Sequence, residues 1–167
     1  MVKQVNLRVF HYTTWPALVG ILDTMEIRTT AIGLVKGEKP AAWFSINPDW
    51  EETVRKAFRT ESGEQPPLLS RDALLDRGVV PVRIEVNPNL PFLDWPHFKL
   101  MSGISQKLAR GMETLAREWG ANPDEWRALF SPVTIEDFRG FEAWTGVLWI
   151  DIIDAFGNLS EKKAALN

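Results

Sequence analysis

Cysteine is missing from this chain, and with it go disulfide bridges and thiolate zinc sites. Histidine occurs only as His11 and His97, too few for a histidine-rich centre, so no metal site is expected. Tyrosine occurs once, at Tyr12. Long apolar runs are also lacking. The most apolar late stretch, residues 146–156, is broken by Asp151 and Asp154 and cannot span a bilayer. The first six residues have no apolar core of the kind a secretory signal needs. Neither sign of charge dominates. A net charge of -3 and a pI near 5.5 give no chain-wide attraction to nucleic acid or anionic lipid, although a local basic patch stays open. The expectation is a cytoplasmic protein that leaves membranes alone.

Three sequence devices for phosphate and acyl chemistry are absent as well. There is no phosphate loop, no Gly-x-Gly-x-x-Gly and no Gly-x-Ser-x-Gly elbow. Without cysteine, nucleophiles narrow to Ser, Thr or a carboxylate.

What is present suits one buried core. The chain has 167 residues, 45% of them hydrophobic, and no linker divides it, so residues 1–167 read as a single domain. Eight tryptophans and nine phenylalanines supply large surfaces for that core and, in part, for a pocket that would hold a planar ligand.

The N-terminal run alternates as a strand does. Val5, Leu7, Val9 and His11 fall on one side, and Asn6, Arg8, Phe10 and Tyr12 on the other. Thr13 or Thr14 then caps a helix over Trp15 to Met25, with Pro16 in its first turn and Leu18, Ile21, Leu22 and Met25 on one face. Residues 26–31 read as a short strand. Gly33, Gly37 and Pro40 mark a loop, and residues 41–46 read as a strand. Asn47-Pro48-Asp49 reads as a helix start whose helix runs to Arg59, before a breaker-rich stretch over residues 60–67.

Ser70 to Gly78 is a capped short helix, and Val80, Val82, Ile84 and Val86 alternate as the cleanest strand. Arg83 and Glu85, two apart, are expected on an exposed charged edge. From Pro96 to Trp119 the stripe Phe98, Met101, Ile104, Leu108, Met112, Leu115 and Trp119 predicts the longest helix, packed as core, weakened at Ser102 and Gly103 and stopped by Gly120. His97 belongs to its first turn. Asn122-Pro123-Asp124 repeats the capping device of residue 47. Residues 138–153 read as two strands or a hairpin, and residues 159–167 as a frayed tail. The elements do not alternate strictly, which favours an α+β fold with a mixed or antiparallel sheet and several helices.

Chemistry-bearing residues gather at the first strand-to-helix junction. His11, Tyr12, Thr13 and Thr14 stand there, Trp43-Phe44-Ser45 end a later strand, and Glu142 lies near the end of the chain. A strand ending His-Tyr-Thr, a helix with Leu-x-x-Ile-Leu and a strand carrying Trp-Phe-Ser together resemble ADP-ribosyltransferase-fold proteins over about the first fifty residues. Within that fold, bacterial DNA-modifying toxins and the RNA 2′-phosphotransferases open with a similar element.

The resemblance implies NAD as substrate, transfer of ADP-ribose to a protein or nucleic-acid acceptor, and an ADP-ribosyltransferase-like fold. His11 then holds the ribose, with Thr13 beside it, and Ser45 matches a hydroxyl-bearing strand. Glu142 is the late acid, with Glu136 and Glu85 as rivals. Arg55, Arg59 and Arg83 are the candidates for phosphate contact. The resemblance thus makes His11 and Glu142 the catalytic candidates, with Tyr12, Thr13, Thr14, Trp43 and Ser45 around the cofactor.

The residue types suit that chemistry on physical grounds too. Breaking the bond between ribose and nicotinamide develops positive charge on the sugar. A carboxylate on the ribose hydroxyls favours that state over the ground state. A flat aromatic stacks on nicotinamide. The competing expectation is a non-catalytic interaction module of phage or mobile-element origin on a similar fold, engaging a protein partner through an aromatic-rich surface and the loop from Lys36 to Pro40; exposed, clustered tryptophans and no pocket beside His11 would favour it.

Overall fold

The alternation after Leu7 becomes β1 (Val9–Thr14) in a computed structural model that describes residues 7–30, 35–57 and 68–152. Thr14, in extended backbone, precedes α1 (Trp15–Thr24), and Pro16 occupies its first turn. The Thr14 side chain makes no capping bond, so Pro16 and the extended entry start this helix. Met25, left-handed at φ 59°, ends it.

β2 (Glu26–Ile27), β3 (Ala42–Ser45), β4 (Lys56–Ala57) and β5 (Leu68–Leu69) come next. α2 (Arg71–Asp76) starts on Ser70, whose side chain accepts the Ala73 N–H, and β6 (Pro81–Val86) opens on its proline as expected. β7 (Leu93–Asp94) leads into α3 (Trp95–Met101), then α4 (Gln106–Glu118), β8 (Trp126–Leu129) and β9 (Val133–Thr134). The hairpin expected late in the chain is β10 (Phe138–Trp144) and β11 (Trp149–Asp151).

Seven strands form one open antiparallel sheet in the order β11-β10-β6-β1-β3-β8-β7, while β2–β9 and β4–β5 pair separately. One face of the sheet carries Val9, Phe44, Val82, Ile84 and Val86 against Leu18 of α1. The other carries Trp126 and Ala128 against Trp95 and Phe98 of α3 and Ala109 and Ala116 of α4, with Phe10, Tyr12 and Trp50 forming a separate cluster. Val9 and Phe10, on opposite sides of β1, are both fully buried, Val9 in the core that includes Leu18 of α1 and Phe10 in the cluster with Tyr12 and Trp50. The described residues make a single compact mixed α/β domain with four α-helices, in keeping with the α+β expectation.

Several expectations are corrected. No helix follows Asn47: its Oδ1 accepts the Asp49 N–H at 2.9 Å, but the chain then bends and turns into β4. The same bond recurs at Asn122, which accepts the Asp124 N–H at 3.1 Å, and there only a 3-10 turn forms over Pro123–Glu125. The device is used twice, and it is a local Asx turn both times. The expected end at Arg59 of the helix starting at Asn47, the stretch 60–67 and the tail 159–167 lie outside the described residues.

Arg83 is not on an exposed edge. β6 lies between β1 and β10, and Arg83 is 5% exposed. The long helix is two. Gly103 sits at φ 80° between α3 and α4, so close to Gly37 that a Cβ would stand 2.4 Å from its carbonyl oxygen. Nor is the apolar stripe all core. Met101, Leu108 and Leu115 are exposed, and the buried residues of α4 are Ala109 and Ala116.

Candidate functional site

β1 and β3 pair at Phe10 and Ser45, and beyond that pair the His11 imidazole takes up a backbone group of β3. His11 Nδ1 stands 2.9 Å from the Trp43 carbonyl. A carbonyl only accepts, which puts a proton on Nδ1. The ring meets Phe44 edge-on at 5.7 Å.

Tyr12 is buried, and its hydroxyl donates to the Asn47 carbonyl at 2.5 Å. Its ring packs on Trp50 at 5.1 Å and Trp149 at 5.9 Å. Burial pushes the phenol above its ordinary pKa, against the opposing pull of the Arg83 charge. Trp43, half-buried, lies among Phe98 at 4.6 Å, Trp95 at 6.3 Å and Trp126 at 6.4 Å.

Ser45 has no exposed surface. Its hydroxyl donates to Glu51 Oε2 at 3.0 Å and accepts the Asn47 N–H at 3.1 Å. The Asx turn at Asn47 is what brings Glu51 back under β3. Glu51 is itself only 5% exposed, and its Oε1 accepts from Thr53 N at 3.2 Å, Thr53 Oγ1 at 2.7 Å and Trp126 Nε1 at 3.1 Å.

His11, Tyr12, Trp43 and Ser45 converge on one cavity of about 410 Å³, within the usual size of small-molecule sites. Phe10, Phe44 and Trp126 share its wall with them, and Met112, Leu115, Ala116 and Trp119 of the helix α4 end contribute too. Glu51, Thr53 and Arg55 add the remaining polar wall. The Arg55 guanidinium lies 4.5 Å over the Trp119 ring and 3.9 Å from Glu52.

The other expected site residues are placed elsewhere. Thr13 and Thr14 are buried in β1 and are not lining residues. Glu142 is not one either: on β10 it pairs with Arg83 at 2.6 Å and Arg8 at 3.4 Å. Among its rivals, Glu85 pairs with Arg8 at 2.5 Å, and Glu136 is exposed and accepts from Thr134 at 3.0 Å. Of the arginines considered for phosphate, Arg55 reaches the cavity, Arg83 is engaged with Glu142, and Arg59 lies outside the described residues.

Glu51 and Trp119 were not legible as site residues. Glu51 has the position of a helix-start acid, and only the failure of that helix turns it inward. Trp119 belongs to a stripe whose spacing is that of a core face. Among the described residues no helix is long and apolar enough to cross a membrane. No protein-family model, curated protein or solved structure matches this chain.

Proposed function

We propose that the chain is a cytoplasmic ADP-ribosyltransferase-like enzyme that takes NAD into this cavity and passes ADP-ribose to a protein or nucleic-acid acceptor. One observation carries the reading: His11, Tyr12, Trp43 and Ser45, from two segments of the sequence, line a single aromatic-walled cavity of about 410 Å³. Its flat rings suit stacking on nicotinamide. The His11 imidazole, held at Nδ1 by a backbone carbonyl, suits a ribose hydroxyl. Arg55 is the lining residue whose charge suits a diphosphate.

The competing docking-module reading calls for exposed, clustered tryptophans. All eight lie among the described residues, and each is buried or half-buried. That favours a ligand cavity over a tryptophan-rich docking face.

Titration with NAD tests the reading. Binding to the folded state alone raises stability by about 2.7 kcal/mol at a hundredfold excess over the dissociation constant, read as a higher melting temperature. Release of nicotinamide by the same protein, lost in His11→Ala, completes the expected result. An unchanged melting temperature at millimolar NAD overturns it.

A further inference from the structure

Glu51 is a buried carboxylate in the wall of an apolar cavity, and its oxygens are held by four neutral donors: Ser45 Oγ, Thr53 N, Thr53 Oγ1 and Trp126 Nε1. No lysine, arginine or histidine among the described residues forms an ion pair with it. Arg55, which shares the wall, is drawn to Trp119 and Glu52 instead.

The donors are unevenly shared. Oε1 receives three and Oε2 one, so Oε2 keeps accepting capacity. A buried carboxylate without a countercharge gains most from a cation brought to it. Tyr12, Trp43 and Trp126 share the wall with Glu51, and an aromatic face attracts a cation, as Trp119 already does with the Arg55 guanidinium at 4.5 Å.

We propose that this cavity is a site for planar organic cations, with Glu51 as the binding residue that answers the positive charge. For NAD the charge is that of the pyridinium ring, a point that rests on the reading above. The preference for a cation needs only the cavity and Glu51.

Two pairs of probes differ in this charge and little else: 1-methylnicotinamide against nicotinamide, and oxidised NAD against NADH. Calorimetric titration of the full chain is expected to show the charged member binding tighter by about tenfold in each pair. In Glu51→Gln the gap closes, and a circular-dichroism spectrum matching that of the unaltered chain shows the fold intact. Glu51→Asp keeps the charge but withdraws it by one methylene, and the gap narrows.

If oxidised NAD and NADH bind equally, and 1-methylnicotinamide no better than nicotinamide, the cation site is overturned while the NAD reading stands. A gap that survives in Glu51→Gln overturns the role of Glu51. A gap within the nicotinamide pair, with neither dinucleotide bound, upholds the cation site and overturns the NAD reading. Absence of binding by all four probes overturns both. Should Glu51→Gln not fold, the wild-type gaps and the Glu51→Asp response decide the matter.

Discussion

Arg83 Nε stands 2.6 Å from Glu142 Oε2, and the two residues face each other in register on β6 and β10. The arginine is buried, donates to the Pro48 carbonyl and lies over the rings of Phe10 at 4.4 Å and Trp149 at 4.6 Å. The guanidinium is therefore engaged at Nε, at Nη1 and over two rings. Removing the acid leaves a cation with little access to water.

Glu142→Gln is accordingly expected to destabilise the protein by about 2 kcal/mol. This is less than a fully buried pair loses, because the Glu142 side chain keeps 20% exposure. Urea denaturation measures the loss, and an unchanged midpoint refutes it. The same variant separates structure from chemistry: NAD turnover retained in its folded fraction removes Glu142 from the mechanism.

Gly103 and Gly111 make a contrasting pair. Gly103→Ala would force a side chain into left-handed backbone and against the Gly37 carbonyl, at a cost of about 2 kcal/mol. Gly111 lies within α4 with open space where a Cβ would go, so Gly111→Ala should add about 0.5–1 kcal/mol. Thermal melts of both variants check the signs, and equal effects would contradict the close approach at Gly103.

Tyr12 is the only tyrosine, so tyrosinate absorbance in an alkaline titration reports this residue alone. Burial raises its pKa in the folded state above the unfolded value of about 10. The folded state then holds a proton that the unfolded state has lost. Its contribution to stability is complete below pH of about 10 and disappears as pH rises toward the folded pKa. The absorbance should lag behind that of a free phenol until unfolding, while Tyr12→Phe flattens this part of the stability profile. An ordinary phenol titration in the folded protein would refute the burial argument.

Asp94 caps α3 by accepting the His97 N–H at 3.0 Å, and its side chain also meets His97 Nδ1 at 2.7 Å. These bonds hold its carboxyl below the usual range. The stabilisation is present above the ordinary carboxylate pKa and is lost as pH falls through the depressed folded value. Asp94→Ala should cost about 1 kcal/mol at neutral pH and much less in acid. A loss that is independent of pH would argue against the cap.

Much of the frame was legible because its causes are local. Alternation marked β1 and β6, Pro16 and Pro81 marked element starts, and Gly78 and Gly120, both left-handed, marked element ends. The repeated side-chain device at Asn47 and Asn122 was legible, but it was read as a helix start, and the turn it makes and the path of the chain beyond it were not. A bond between a side chain and a residue two positions on does not decide whether the next turn is helical.

The site divides along the same line. His11, Tyr12, Trp43 and Ser45 stood out because their residue types are rare here or sit at strand ends, where the chain leaves its ladder. Glu51 did not, because its inward turn depends on Ser45 and on Trp126, which is 75 positions away. Arg83 read as edge charge because spacing within a strand carries no information about which strands will flank it. The stripe Leu108, Met112, Leu115 and Trp119 has the period of a core face, yet α4 buries Ala109 and Ala116, and Met112, Leu115 and Trp119 line the cavity.

Most elements, their turns and the junction residues were thus written into the local sequence, since they arise from backbone sterics and from hydrogen bonds across a few positions. Which carboxylate meets the cavity was settled by tertiary packing alone. Glu51 lines it and Glu142 is held by Arg83, because burial of charge depends on the groups that distant strands bring alongside.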